Sequence, residues 1–378
     1  MFREDKKEKV TMDKPLRVAQ IMGKLWAGGV EMVVFNYYRA IDKEKIQFDF
    51  YYDEDSTIAP PQDLIEMGAK FIKLPPYQHT LEYLRVLKRY FKKNNYMIVH
   101  SHINTLSVFP LYMAWRCKVP VRIAHNHSVP GGESIKRTGL KYLLRSFSRV
   151  FSTEYFACSE KAGRWLFGNK NYENGKVIVI KNAIDFSRFR PSEKELISLK
   201  KQLGLEEKFV VGHVGRFTFA KNHEFLIKIF KEIEIMREDA VLILVGDGEL
   251  NKQIHRWAEQ YKVSNRVVFV GQVTNPEIYY RLADVVIIPS IFEGLSLATI
   301  ESQIAGVPVV VSKAIPEEAI ISNACVRLEL TDKCWAKTAI EYADKKVILN
   351  NRSEAYEIGR ASEILENIYL EKVGDLDA

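Results

Sequence analysis

Long apolar runs are missing from this 378-residue sequence. Stretches such as Val307–Val311 stop far short of the roughly 18 residues that a membrane-spanning helix needs, so no such helix is expected. Cysteine is scarce. Cys117, Cys158, Cys325 and Cys334 stand apart with no Cys-x-x-Cys pair, which speaks against a zinc knuckle or a disulfide framework and for a reducing compartment. With 20 glycines and 13 prolines the chain is neither collagen-like nor dominated by linkers. The opening residues Met1–Val10 are charged and have no apolar stretch behind them, so a flexible tail over 1–14 and a cytoplasmic location are expected, with no signal peptide.

An apolar share of 47% and a charged share of 27% belong to an ordinary globular protein, and the length predicts two domains. The net charge of +7 hides an uneven split. Residues 1–190 carry 32 basic and 19 acidic side chains, whereas the remainder carries 23 and 29. Between residues 80 and 149 there are 13 basic side chains against Glu82 and Glu133. One half is therefore suited to meeting an anionic surface or substrate, and a solvated charged face is the plainer reading.

Short β-branched runs alternate with amphipathic segments from end to end. Strands are expected at Leu16–Met22, Phe48–Tyr52, Phe71–Leu74, Met97–His100, Val121–His125, Tyr155–Cys158 and Val177–Ile180. They restart at Phe209–Val214, Ala240–Val245, Arg266–Val270, Val285–Pro289 and Pro308–Val311. Several are apolar on both faces, as parallel strands covered by helices are. The alternation predicts α/β architecture with two doubly wound domains, at 15–190 and 191–352, and a helix over 353–378 that crosses back to the first. Leu81, Leu84, Leu87 and Phe91 are spaced for one helical face.

The segment from Ala283 to Pro308 reads as a buried strand, a loop holding Glu293, and a helix with Ser296 as N-cap. Amides at Leu297 and Ala298 would then face the carboxyl end of the sheet, where the helix dipole favours phosphate. Glu301 lies one turn further on, placed for a hydroxyl-bearing group. A second constellation is Arg216 and Lys221, at a strand end and at the next helix start. A cation at a helix N-terminus opposes the dipole, so Lys221 is misplaced for stability and well placed, with Arg216, to neutralise a diphosphate. Gly28 and Gly29 precede a helix after the first strand and allow close approach to a phosphate. Gly246-Asp-Gly248 imitates a dinucleotide fingerprint, but Asn251 stands at its third glycine, so it reads as a turn. His100 and His102, and His125 and His127, mark two strand ends. With no acidic or cysteine cluster beside them, hydrogen bonding to a polar ligand is preferred to metal binding.

These motifs resemble family 4 of the retaining nucleotide-sugar glycosyltransferases, over roughly residues 15–370. The most specific is Glu293-x7-Glu301 within EGLSLATIESQIAGVPVV; VGRFTFAKNH (214–223), LVGDGEL (244–250), GGVE (28–31) and VIKNAIDFSRF (179–189) also match. The resemblance implies the GT-B fold, with two Rossmann-like domains facing across a cleft. It implies that Arg216 and Lys221 grip the donor diphosphate, Glu301 the ribose hydroxyls, and Glu293 hydroxyls of the transferred sugar. Gly29 would approach the β-phosphate and His127, preferred to His125, the 6-hydroxyl. One departure is Asn182-Ala183, where the family has Asn-Gly. The stretch RIAHNHS followed by a basic helix resembles enzymes that build exopolysaccharide or capsule units on a lipid carrier.

The reading is thus a metal-independent retaining hexosyltransferase that needs no cofactor and uses a nucleotide sugar, UDP-linked by preference, and a glycan or lipid-linked acceptor. A nucleotide-sugar 2-epimerase, a nicotinamide oxidoreductase and a non-catalytic partner subunit are the alternatives; intact Arg216, Lys221, Glu293 and Glu301 favour the enzyme. No nucleic-acid recognition module is visible. Peripheral contact with an anionic membrane is suggested twice: by Arg85, Lys88, Arg89, Lys92 and Lys93, and by Lys136, Arg137, Lys141, Arg145 and Arg149 among Leu140, Leu143, Leu144 and Phe147. The competing expectation is that these leucines face the core.

Overall fold

The computed structural model describes residues 14–26, 29–128 and 135–377, without the side chains of 135–138 and 377. The tail before residue 14 and Gly28 lie outside the described residues, as do the side chains of Lys136 and Arg137. The chain forms two compact units. Residues 1–127, 139–181 and 358–378 make the first, and 128–138 with 182–357 the second.

In the first unit, β1 (Leu16–Gly23), β2 (Ile46–Asp53), β3 (Lys70–Leu74), β4 (Ile98–Ser101), β5 (Val121–Asn126), β6 (Glu154–Ala157) and β7 (Val177–Val179) form one sheet. Its order is β3-β2-β1-β4-β5-β6-β7 and every pairing is parallel. Because β1 pairs on one side with β2 and on the other with β4, the direction in which strands are added across the sheet reverses between β1 and β4. That is the switch point at which open α/β sheets bind ligands. β2 is buried at all eight positions, the burial expected of a strand covered on both faces. A carboxylate that enters this interior is paired: Asp49, 1% exposed, takes Arg17 Nε at 2.9 Å and the Tyr96 hydroxyl at 2.5 Å.

The helix Thr80–Asn94 buries Tyr83, Leu87 and Phe91, at i, i+4 and i+8. Leu81, expected on that stripe, is 80% exposed instead. It sits two residues before Tyr83, on the other side of the first turn. At the far end of the chain the helix runs over Ile358–Asp377, later than expected, because Asn351–Tyr356 forms a separate 3-10 turn.

In the second unit, β8 (Phe209–Val214), β9 (Ala240–Val245), β10 (Val267–Gly271), β11 (Val285–Ile288), β12 (Val309–Ser312) and β13 (Cys325–Leu328) are ordered β10-β9-β8-β11-β12-β13, again all parallel. β9 is buried throughout. Val211, Val285 and Ile287 face one core cluster, and Val210, Val286 and Ile288 the other, so one strand feeds two apolar layers. The switch point here lies between β8 and β11. It brings the loop after Val214 beside the loop after Ile288, and these are the two segments that carry the charged motifs.

Candidate active site

The second unit joins its motif residues around that switch point. Past the end of β11, Ser290 and Glu293 lie in the loop that leads to the helix Leu297–Ile304. Past β8, Gly215 and Arg216 begin a loop that runs through a 3-10 turn, Phe219–Lys221, into the helix His223–Met236. Two hydrogen bonds tie the loops: Ile291 N–H donates to Ala220 O at 2.8 Å, and the Asn222 side-chain amide to Pro289 O at 3.2 Å.

Lys221 Nζ donates to Glu293 Oε1 at 2.6 Å, with the two side chains only 17% and 14% exposed. Ser290 Oγ donates to the same oxygen at 2.9 Å. This pair explains a cation where the dipole of the 223–236 helix disfavours one, since a carboxylate compensates it locally. The lysine stem runs over Gly215, where a Cβ would stand at an ordinary contact distance of 3.4 Å from Lys221 Cε. Arg216 is exposed at the start of the same loop.

Gly246 explains how that loop is held. Its φ is +135°, and a Cβ would fall 2.0 Å from Gly215 O. The close approach allows Phe217 N–H to reach Asp247 O at 3.0 Å and Leu250 N–H to reach Phe217 O at 3.1 Å. Gly246-Asp-Gly248 is thus a buttress for the Arg216 loop rather than a phosphate cradle of its own.

The helix Leu297–Ile304 begins as expected, but Ser296 does not cap it with its side chain. Ser296 has left-handed backbone, φ 64°, and its hydroxyl pairs with Thr299 Oγ1 at 2.9 Å. Non-glycine residues hold this conformation at a cost, and such strain gathers at functional sites. The amides of Leu297 and Ala298 therefore receive no acceptor from that side chain, and the end of the helix keeps its attraction for an anion. Four residues on, Glu301 Oε2 accepts a hydrogen bond from the buried Tyr280 hydroxyl at 2.7 Å. Burial pushes the Glu301 carboxyl up from its ordinary range, partly offset by that hydrogen bond. Burial raises Tyr280 too, reinforced by the Glu301 charge, so its proton stays in place as the donor. Nearby, Glu277 forms an ion pair with Arg188. Ser290 and Tyr280 escaped sequence reasoning. Ser290 ends a strand without a motif of its own, and Tyr280 lies 21 residues from its partner.

In the first unit, Gly29 opens the helix Gly29–Ala40. The two His-x-His pairs, which the sequence could only place at separate strand ends, come together as a buried two-by-two grid, with His100 on β4, His125 on β5, and His102 and His127 just past the ends of those strands. Rings of the same pair lie 4.1 Å (His100, His102) and 3.9 Å (His125, His127) apart. The nitrogens of His100, His102 and His125 lie within 4.8 Å of one another, close enough in principle for a metal ion. Burial drives these three rings well below the usual histidine range and keeps them neutral. No carboxylate or thiolate belongs to the set, so nothing in it offsets the charge of a dication.

Residues 27–188 match the family described as Glycosyltransferase Family 4, and residues 197–352 match Glycosyl transferases group 1. The chain is 31% identical over 336 residues to EpsF of Bacillus subtilis, which is named as a glycosyltransferase, covering 85% of this chain and 86% of that one. It belongs to glycosyltransferase family 4. As a family 4 enzyme it also resembles, at 24% identity over 352 residues, the UDP-Gal:alpha-D-GlcNAc-diphosphoundecaprenol alpha-1,3-galactosyltransferase of Escherichia coli, covering 88% of this chain and 89% of that one. Among solved structures, Anabaena HepE in complex with UDP-glucose superposes with a TM-score of 0.75 at 17% identity, covering 94% of this chain and all of that one. At that identity the likeness supports the fold, two parallel Rossmann-like sheets of GT-B type.

Proposed function

We propose that this glycosyltransferase is a retaining, metal-independent hexosyl- or N-acetylhexosaminyltransferase that takes its sugar from a UDP donor and passes it to a lipid-linked glycan in exopolysaccharide or capsule assembly. The observation that carries the reading is the Lys221–Glu293–Ser290 cluster beside the uncapped start of the 297–304 helix. A cation, a helix N-terminus and two hydrogen-bonding carboxylates around one switch point suit a sugar diphosphate better than any other common metabolite. In this reading Arg216 and Lys221 take up the charge that develops as the bond from the anomeric carbon to the diphosphate oxygen breaks. The acceptor hydroxyl attacks the same face, its oxygen bonds to the anomeric carbon, and its proton passes to the departing phosphate oxygen. Glu293 orients sugar hydroxyls and Glu301 the ribose. The UDP component and the lipid-linked acceptor draw support from the names of the Escherichia coli and Anabaena proteins. The test is a screen of UDP- and GDP-sugars for donor hydrolysis and thermal stabilisation. A UDP-hexose should stand out, and a GDP-sugar standing out would refute the donor assignment.

A lipid-linked acceptor requires approach to a membrane, and no helix among the described residues is long and apolar enough to cross one. The helix Ile135–Phe147 offers a peripheral contact instead. Leu140, Tyr142, Leu143 and Phe147 are 47–61% exposed along it, with Val150 just beyond, whereas Leu144 is half-buried. Lys141, Arg145 and Arg149 accompany them, and an exposed apolar strip with cations alongside fits an anionic lipid surface. In the helix Thr80–Asn94, by contrast, the apolar stripe is core, and its lysines and arginines are a solvated face.

A further inference from the structure

Hydrogen bonds link the histidine grid into two arms, and both start at one side chain. Gln20 lies on β1 opposite His100 in the register and is fully buried. Its Oε1 lies 2.8 Å from His102 Nε2, and its Nε2 lies 3.2 Å from the Tyr369 hydroxyl. On one arm, His102 Nδ1 is 2.9 Å from His127 Nε2. On the other, the Tyr369 hydroxyl is 2.6 Å from His100 Nδ1, and His100 Nε2 is 3.1 Å from His125 Nδ1.

Every link needs one proton, and a neutral imidazole carries only one. The amide oxygen of Gln20 can only accept, so His102 bears its proton on Nε2 and its Nδ1 accepts from His127 Nε2–H. The amide nitrogen donates to Tyr369, which spends its own proton on His100 Nδ1. His100 therefore bears Nε2–H and donates it to His125 Nδ1, leaving His125 with Nε2–H as well. Turning the amide over would move all four protons to Nδ1. A mixed state sets two N–H groups, or two lone pairs, face to face at about 3 Å in a buried site, which costs about 1–3 kcal/mol per unmade bond.

We propose that Gln20 is a positioning residue whose amide fixes the tautomer of all four rings, and that it holds His127 as Nε2–H with Nδ1 as the hydrogen-bond acceptor. His127 then accepts from a hydroxyl and offers nothing to a carboxylate; only this consequence rests on the glycosyltransferase reading of His127. Tyr369, from the C-terminal helix of the first unit, is the relay of the second arm. The grid needs neither a metal nor an external charge, because burial keeps His100, His102 and His125 neutral.

The test is long-range proton–nitrogen correlation spectroscopy on the full chain labelled with ¹⁵N-histidine, with no donor or acceptor present, rings assigned by single His→Gln variants. Four Nε2–H signatures are expected at neutral pH. Gln20→Glu retains the acceptor for His102, so His102 and His127 stay Nε2–H. The new carboxylate captures the Tyr369 proton, so His100 and His125 switch to Nδ1–H. Tyr369→Phe should leave the His102–His127 arm unchanged. In transfer assays Gln20→Leu should lose about tenfold in kcat/KM, the scale of one hydrogen bond, and Gln20→Glu should recover most of it. Nδ1–H on His102 or His127 in the wild-type spectrum overturns the proposal, as do four unchanged rings in Gln20→Glu or stoichiometric zinc in the purified protein. The wild-type spectrum decides the matter by itself if a variant does not fold, and it does so whether or not the chain transfers sugar.

Discussion

Replacing Lys221 by Met keeps the aliphatic stem that lies over Gly215 and removes only the charge. The lost contact is a 2.6 Å charged hydrogen bond between side chains that are about five-sixths buried. Such a bond nets about 1.5–3 kcal/mol. Removing one partner of a fully buried pair costs about 3–5 kcal/mol, but Ser290 Oγ still donates to Glu293 at 2.9 Å and softens that penalty. The expected loss is about 2–3 kcal/mol, or roughly 5–10 °C in Tm for a unit of this size. Glu293→Gln keeps an amide oxygen for the lysine and should cost about 1 kcal/mol. The double variant should cost less than the two together by about 1–2 kcal/mol, because each single change strands the other's charge.

Binding and turnover should then part company. Lys221 is held by Glu293 without a ligand, so a diphosphate competes with that carboxylate for it. Calorimetry with UDP should show Lys221→Met weakening affinity roughly tenfold or more, and turnover should fall about 10²–10³-fold, the scale of one preorganised electrostatic contact. Glu293→Gln removes the competitor and a nearby negative charge. It should leave UDP affinity unchanged or raise it by about two- to tenfold, while turnover drops at least about a hundredfold. Equal weakening of UDP by both variants, or near-normal turnover in folded Lys221→Met, refutes these assignments.

Gly246→Ala forces a Cβ against Gly215 O at positive φ, so it should cost about 3 kcal/mol or more and disturb the Arg216 loop, read as a lower Tm together with weaker UDP binding. His100, His102 and His125 are held well below the usual range, His213 is lowered to about 4 and His223 to about 2, all chiefly by burial. Their stabilising contribution is complete above the unfolded pKa of about 6.5 and is lost as pH falls towards the folded values, at up to about 1.4 kcal/mol per ring per pH unit. Tm should therefore fall steeply between pH 6.5 and 4.5, which a flat melting profile would contradict. Transfer should persist in excess chelator, and an absolute need for Mg²⁺ or Mn²⁺ would overturn the cation-pair mechanism. Co-sedimentation should require anionic vesicles, weaken as salt rises, and be lost in Leu143→Glu with Lys141→Glu; equal binding to neutral vesicles would remove the electrostatic part.

Most of the fold was legible because parallel strands buried on both faces leave a strong local mark. Phe209–Val214 and Ala240–Val245 stand where their apolar runs predict. β13, Cys325–Leu328, left no such mark: it is an edge strand with all four residues half-buried, so its composition is ambiguous and only pairing with β12 defines it. The donor-side residues were legible for the opposite reason, since each violates a local rule. Lys221 opposes a helix dipole, and Glu293 and Glu301 interrupt an apolar stretch. What sequence could not give is how the structure reconciles those violations. Lys221 is balanced by a carboxylate 72 residues away, and Glu301 is held by a tyrosine hydroxyl from the helix Glu277–Leu282. Local misfits point to a site because the chain tolerates them only where long-range partners compensate. The histidine grid shows the limit of that rule. Four histidines at strand ends look like a ligand set, yet most of their ring nitrogens are turned towards one another or towards Gln20 and Tyr369. Spacing marks where such rings meet, and only hydrogen-bond direction tells what they can offer a substrate.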